Sequence, residues 1–152
     1  MSPTVESVPV DAVSIRHEST VTRNYSLNVA VVFTSIATTL AALRKAGARA
    51  GRAQTGITLI VPQTVPYPLS LNDPPVSPDF TARHFRVLAE ESPVETTVRI
   101  YLCRDRLETL LKVLDPHSLV VIGGCRRWWP TADARLARQL QRSGYRVVFV
   151  EA

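Results

Sequence analysis

Two arginines and two tryptophans stand together at Arg126-Arg127-Trp128-Trp129. They follow an apolar run that ends in Gly123-Gly124-Cys125, and they precede Pro130 and Thr131. A guanidinium presents a planar fork of donors to a carboxylate or phosphate, and beside a helix N-terminus it helps to hold an anion. Indole rings stack on a base or anchor a protein partner. The same side chains also have a plainer use, in which the tryptophans fill an unused cleft and the arginines face water. That use is the expectation adopted for the rings. Thr34 and Ser35, after another apolar run, are hydroxyls able to touch a phosphate, although capping of the next helix explains them equally well. The candidate ligand-binding set is therefore Thr34, Ser35, Gly123, Gly124, Arg126, Arg127, Trp128, Trp129 and Thr131.

Other reactive residue types form no constellation. There is no nucleophile elbow, no phosphate loop and no zinc-ligand spacing. His84 and His117 stand far apart in sequence, and His84 fits a helix face. Asp105 precedes a leucine-rich segment, where capping suits it better than holding a ribose. No catalytic residue and no metal are expected, and the chain is not expected to be an enzyme.

The glycine-ended run sits at the end of a strand, and the rest of the chain explains why. With 152 residues, 45% hydrophobic and 20% charged, the chain suits one globular domain. No apolar run reaches membrane length and no basic-then-apolar leader opens it, so a cytoplasmic protein without membrane contact is expected. Two cysteines set no disulfide framework. The net charge is +5, but no dense Lys/Arg block is present, which argues against a nucleic-acid arm.

Residues 1–26 show no sustained periodicity and read as a poorly ordered leader or an added edge segment; residues 27–152 form the domain. Leu27 to Phe33 is a buried strand, and an alanine-rich helix runs from Ile36 to about Arg52 with Leu40 and Leu43 on one face. Ile57 to Val61 is a second strand. Five of eleven prolines then crowd residues 62–77, so a strand is expected to stop there. Ser77-Pro78-Asp79 starts a helix with Phe80, His84, Val87 and Leu88 on one face. Val94 to Leu102 alternates and reads as an edge strand. A leucine helix follows, then the strand Leu119 to Ile122, a helix capped by Thr131 and ended by Gly144, and the strand Tyr145 to Val150. Strands alternating with helices imply an α/β fold, an open five-stranded parallel sheet with helices on both faces.

Five strands and four helices at these spacings resemble the universal stress protein family, over about residues 27–151. Val29 to Ser35 is similar to that family's opening strand, and Asp105 to Gly124 to its third helix and fourth strand. An Arg-rich loop after the fourth strand also resembles the stress-protein-like domain of potassium-sensor histidine kinases. The resemblance implies a HUP or Rossmann-like sheet in the order 3-2-1-4-5. That order places Cys103 and Cys125 roughly 14 Å apart, two strands between them, too far for a disulfide.

The family's nucleotide pattern is broken here. Phe33 stands where nucleotide-binding members carry Asp. After Gly123 the next two glycine positions hold Arg126 and Leu136, and no Gly-Ser/Thr pair follows. The function expected is a non-catalytic, regulatory or binding module with a degenerate nucleotide site and no cofactor. The alternative is a nucleotide binder for ATP or a cyclic dinucleotide, using the Arg/Trp loop. Partners expected are a second copy of the chain and a protein or small anionic ligand. The last strand is apolar on both sides, and the resemblance implies a homodimer through it, with Val147, Val148, Phe149 and Val150 in the contact.

Overall fold

Valine- and isoleucine-rich runs of four to eight residues pair laterally when their neighbours can cover both faces, and that is how this chain folds. The computed structural model describes residues 5–9, 28–72 and 75–152. Its strands are β1 (Val5–Pro9), β2 (Val29–Val32), β3 (Ile57–Thr64), β4 (Thr96–Cys103), β5 (Leu119–Gly124) and β6 (Arg146–Glu151). Its helices are α1 (Ile36–Arg52), α2 (Pro78–Glu90), α3 (Arg106–Val113) and α4 (Ala132–Arg142). All strand pairs are parallel, in the order β1-β4-β3-β2-β5-β6. The five strands of the domain thus stand as 3-2-1-4-5, and Val5–Pro9 adds a sixth.

The helices cover the two faces in pairs. On one face Ala42, Leu43 and Ala46 of α1 and Phe85 and Leu88 of α2 pack on Val31, Leu59 and Val121. On the other, Leu110 of α3 and Leu136 and Leu140 of α4 pack on Val32, Ile60 and Ile122. The alanines of α1 let that helix lie close to β2 and β5. Hydroxyl and carboxylate caps start three of the helices: Ser35 accepts from Thr38 N, Asp105 from Glu108 N at 2.7 Å and Thr131 from Ala134 N at 3.2 Å. Gly144, at φ 94°, ends α4 in the left-handed region.

Three expectations are corrected. β3 runs through Pro62 to Thr64 instead of stopping at Val61. Ile60 O accepts from Phe33 N, so even-numbered residues of β3 face β2. The amide that proline lacks would have donated to Phe33 O, and Arg106 Nη2 donates to that carbonyl in its place at 3.2 Å. Val94 to Leu102 does not supply an edge, because β1 pairs along the outer side of β4. The remainder of the 1–26 leader, and Leu27 with it, lies outside the described residues. Finally, α2 buries Thr81, Phe85, Leu88 and Ala89, leaving Phe80 and Val87 exposed. Phe85 meets Phe33 edge to face at 4.6 Å between ring centroids, and that contact sets the rotation of the helix.

Candidate functional site

In an open α/β sheet a ligand settles beyond the carboxyl ends of the strands, where the chain turns to opposite faces on leaving two neighbours. Here those neighbours are β2 and β5, followed by α1 and α4. The gap is spanned by the protein's own groups. Thr34 Oγ1 donates to the Gly123 carbonyl at 2.7 Å and lies 2.8 Å from Thr38 Oγ1. Ser35 Oγ is 2.6 Å from the same Thr38 hydroxyl, and Thr34 N donates to Thr39 Oγ1 at 3.2 Å. Gly123 lies flush against the first turn of α1, where an added methyl group would overlap the Thr38 carbonyl oxygen and sit 2.5 Å from its carbon. Across the same gap Arg106 Nη2 donates to Phe33 O at 3.2 Å, and its Nη1 is 3.8 Å from Asp133 Oδ1.

Thr34, Ser35 and Gly123 are therefore brought together as expected, but with their polar groups engaged internally. Arg126, Arg127, Trp128, Trp129 and Thr131 belong to a separate surface. The expectation that a tryptophan fills the cleft is overturned: Trp128 is 92% exposed and Trp129 76%. The loop leaves the sheet on the α4 side, where it lines a depression with Phe149 and Glu151 instead of turning back over β2. Gly124 stands between the two regions, where an added methyl would lie 2.8 Å from Phe149 Cε2.

The loop, α4 and the end of β6 enclose an open depression of about 390 Å³. Ala134, Ala137 and Phe149 form its apolar part, and Arg138 and Gln141 its polar wall together with the loop. Arg126 Nη1 is 3.7 Å from Glu151 Oε2, a pairing that both chains' exposure keeps weak. Arg138 and Gln141 went unnoticed in the sequence, although their helical spacing from Thr131 and Ala134 is legible once the cap is placed. Arg104 was also missed. Its Nη1 and Nη2 donate to the carbonyls of Val65 and Leu69 at 2.7 and 2.6 Å, and the guanidinium lies 4.1 Å over the Tyr67 ring. It pins the proline-rich loop to the end of β4.

Cys103 and Cys125 are both free, the first buried and the second exposed. Burial pushes the Cys103 thiol above its ordinary range, against weaker opposing hydrogen bonds from Thr109 and Thr64. Among the described residues no group of three or more His, Cys, Asp or Glu could hold a metal ion. No helix among them is long and apolar enough to cross a membrane.

β6 ends the sheet among the described residues, with Val147 to Val150 half-buried. Ala152 N donates to Gly124 O, so even-numbered positions face β5 and Val147, Phe149 and Glu151 turn their backbone groups outward. Gln141 Nε2 reaches the outward Val147 carbonyl at 3.4 Å. Comparison with known proteins finds no matching family model, curated protein or solved structure.

Proposed function

We propose that the chain is a non-catalytic regulatory or binding module of the universal-stress type, with a nucleotide site that has been lost. The observation that carries this reading is the closure between β2 and β5. Thr34 donates to Gly123 O at 2.7 Å, and the hydroxyls of Thr34 and Ser35 are both engaged with that of Thr38. A triphosphate held at this switch point needs those groups free to receive it. A ligand that binds only the folded state raises the melting temperature. ATP, ADP and cyclic dinucleotides at millimolar concentration are therefore expected to leave it unchanged. Saturable stabilisation by any of them would overturn this reading.

That result would favour a second reading, nucleotide binding at the Arg/Trp depression, where arginines and exposed indoles lie together. The module is proposed to act as a homodimer through β6. Its outward backbone groups at Val147 and Phe149 match those of a second copy related by a two-fold axis. A reducing cytoplasm suits two free thiols, one at the end of β4 and one just past β5, with β3 and β2 between those strands.

A further inference from the structure

Residues 125–151 hold six arginines, at 126, 127, 135, 138, 142 and 146, against two acids, Asp133 and Glu151. This segment therefore carries +4 of the chain's +5. Both acids already face a guanidinium, Asp133 that of Arg106 and Glu151 that of Arg126. Arg135, Arg138 and Arg142 are exposed and follow one another at three- and four-residue steps, so they form one stripe along α4. At the N-terminal end of that stripe stand Trp128 and Trp129, with the apolar floor of Ala134, Ala137 and Phe149 beneath. Large exposed indoles beside an apolar depression are what an interface hot spot looks like before its partner arrives. A row of guanidiniums without an ion pair among the described residues leads from it and favours an anionic partner such as a carboxylate-rich chain.

We infer that this surface docks a short acidic segment of a protein partner, seating one apolar side chain of that segment between the tryptophans and the depression. The inference rests on the binding-module reading above. Single-stranded nucleic acid is disfavoured by the placement of the aromatics. Base stacking uses aromatic platforms spread along a charged groove, whereas both indoles here sit at one end and the arginines run on without them. An acidic chain with one apolar anchor matches that polarity.

The test is fluorescence anisotropy with the full chain and a fluorescein-labelled twelve-residue peptide of Glu and Asp containing two leucines. Saturable binding in the micromolar range is expected, weakening at least tenfold when salt rises from about 50 to 500 mM as screening shortens the reach of the charges. W128A/W129A and R138E/R142E should each weaken it at least tenfold, and R138K/R142K should stay within threefold of the wild type. These side chains are exposed, and unchanged circular dichroism and melting temperature will show that each variant folds. A peptide with Ser for Leu should bind at least fivefold more weakly. Absence of acidic-peptide binding overturns the inference, as does equal binding of a neutral Ser/Asn/Leu peptide. Oligo-dT bound as tightly as the peptide overturns it in favour of a nucleic-acid surface. Failure of the binding-module reading is separately visible, as nucleotide stabilisation in the thermal assay.

Discussion

Replacing Gly123 by alanine tests the closure of the cleft directly. The backbone there does not demand glycine, since its φ lies outside the left-handed region in which only Gly144 among the glycines is found. The added methyl group would lie 2.5 Å from the Thr38 carbonyl carbon and 3.1 Å from Thr38 Cβ, and ordinary contact begins near 3.4 Å. The first turn of α1 must retreat by about 1 Å. It carries the hydroxyl network of Thr34, Ser35 and Thr38, and it is continuous with the alanine stripe packed on the sheet. Overpacking of this kind costs roughly 1–3 kcal/mol. Loss of the Thr34–Gly123 hydrogen bond adds about 1 kcal/mol. The sum is about 3 kcal/mol, or a fall of roughly 6–12 °C in melting temperature for a chain of this length.

Gly124→Ala is the internal control. Its methyl would meet the rim of the Phe149 ring, a half-buried side chain beside the open depression, and the ring can swing aside. A cost below about 1 kcal/mol is expected. Urea unfolding followed by circular dichroism gives both values from the midpoint and slope. The reasoning is refuted if Gly123→Ala stays within about 0.5 kcal/mol of the wild type, or if Gly124→Ala is the more damaging change. Either outcome would mean that the first turn of α1 does not pack on Gly123 as described.

Asp105→Ala removes the cap of α3 and should cost about 1 kcal/mol, with Asp105→Asn recovering most of it in the same urea assay. Cys125 should react with a thiol reagent at pH 7.5 in the native state, and Cys103 only after unfolding; two fast thiols would show that Cys103 is not buried as described. Because burial raises the Cys103 pKa, the folded state retains a proton that the unfolded state gives up first. Stability from this source is full below the ordinary thiol pKa and is lost as pH rises through the folded value. Wild type should therefore lose stability more steeply than Cys103→Ser between about pH 8 and pH 10, and parallel curves would contradict this. Light scattering should give about twice the 16.8 kDa chain mass. Val147→Pro removes an outward amide without touching the β5 ladder and should yield a monomer; a monomeric wild type would sink the β6 dimer.

The fold was legible in the sequence because its signals are local and repeated. Each buried strand is a run of valine, leucine and isoleucine, and Ser35, Asp105 and Thr131 mark their helices by type and position. The errors came where a neighbour decides the outcome. Pro62 is tolerated because Arg106, from a distant helix, donates to the Phe33 carbonyl that an amide at 62 would have met. The edge position of β4 depends on whether Val5–Pro9 pairs with it, and a five-residue segment holding a glutamate, a serine and a proline carries little strand signal. In α2 Leu88 is buried as expected, but Phe80 and Val87 are as apolar as Phe85, and it is Phe85 that meets Phe33 from another element.

The site was harder, for a physical reason that Gly123 shows well. A glycine at the end of a buried strand removes a side chain from the place where an α/β sheet would receive a ligand. The same removal lets a helix approach the strand. Both uses demand the same residue at the same position, so glycine alone cannot distinguish an open cleft from a closed one. The distinguishing partners lie about ninety residues away, at Thr34 and Thr38, and a threonine before a helix looks like a cap in either case. Here the helix takes the space. Arg126 to Trp129 turn out toward α4, where both tryptophans stand exposed. The sheet thus carries side by side an internally bonded hydroxyl cluster and an exposed basic and aromatic surface, and Gly123→Ala and W128A/W129A probe them separately.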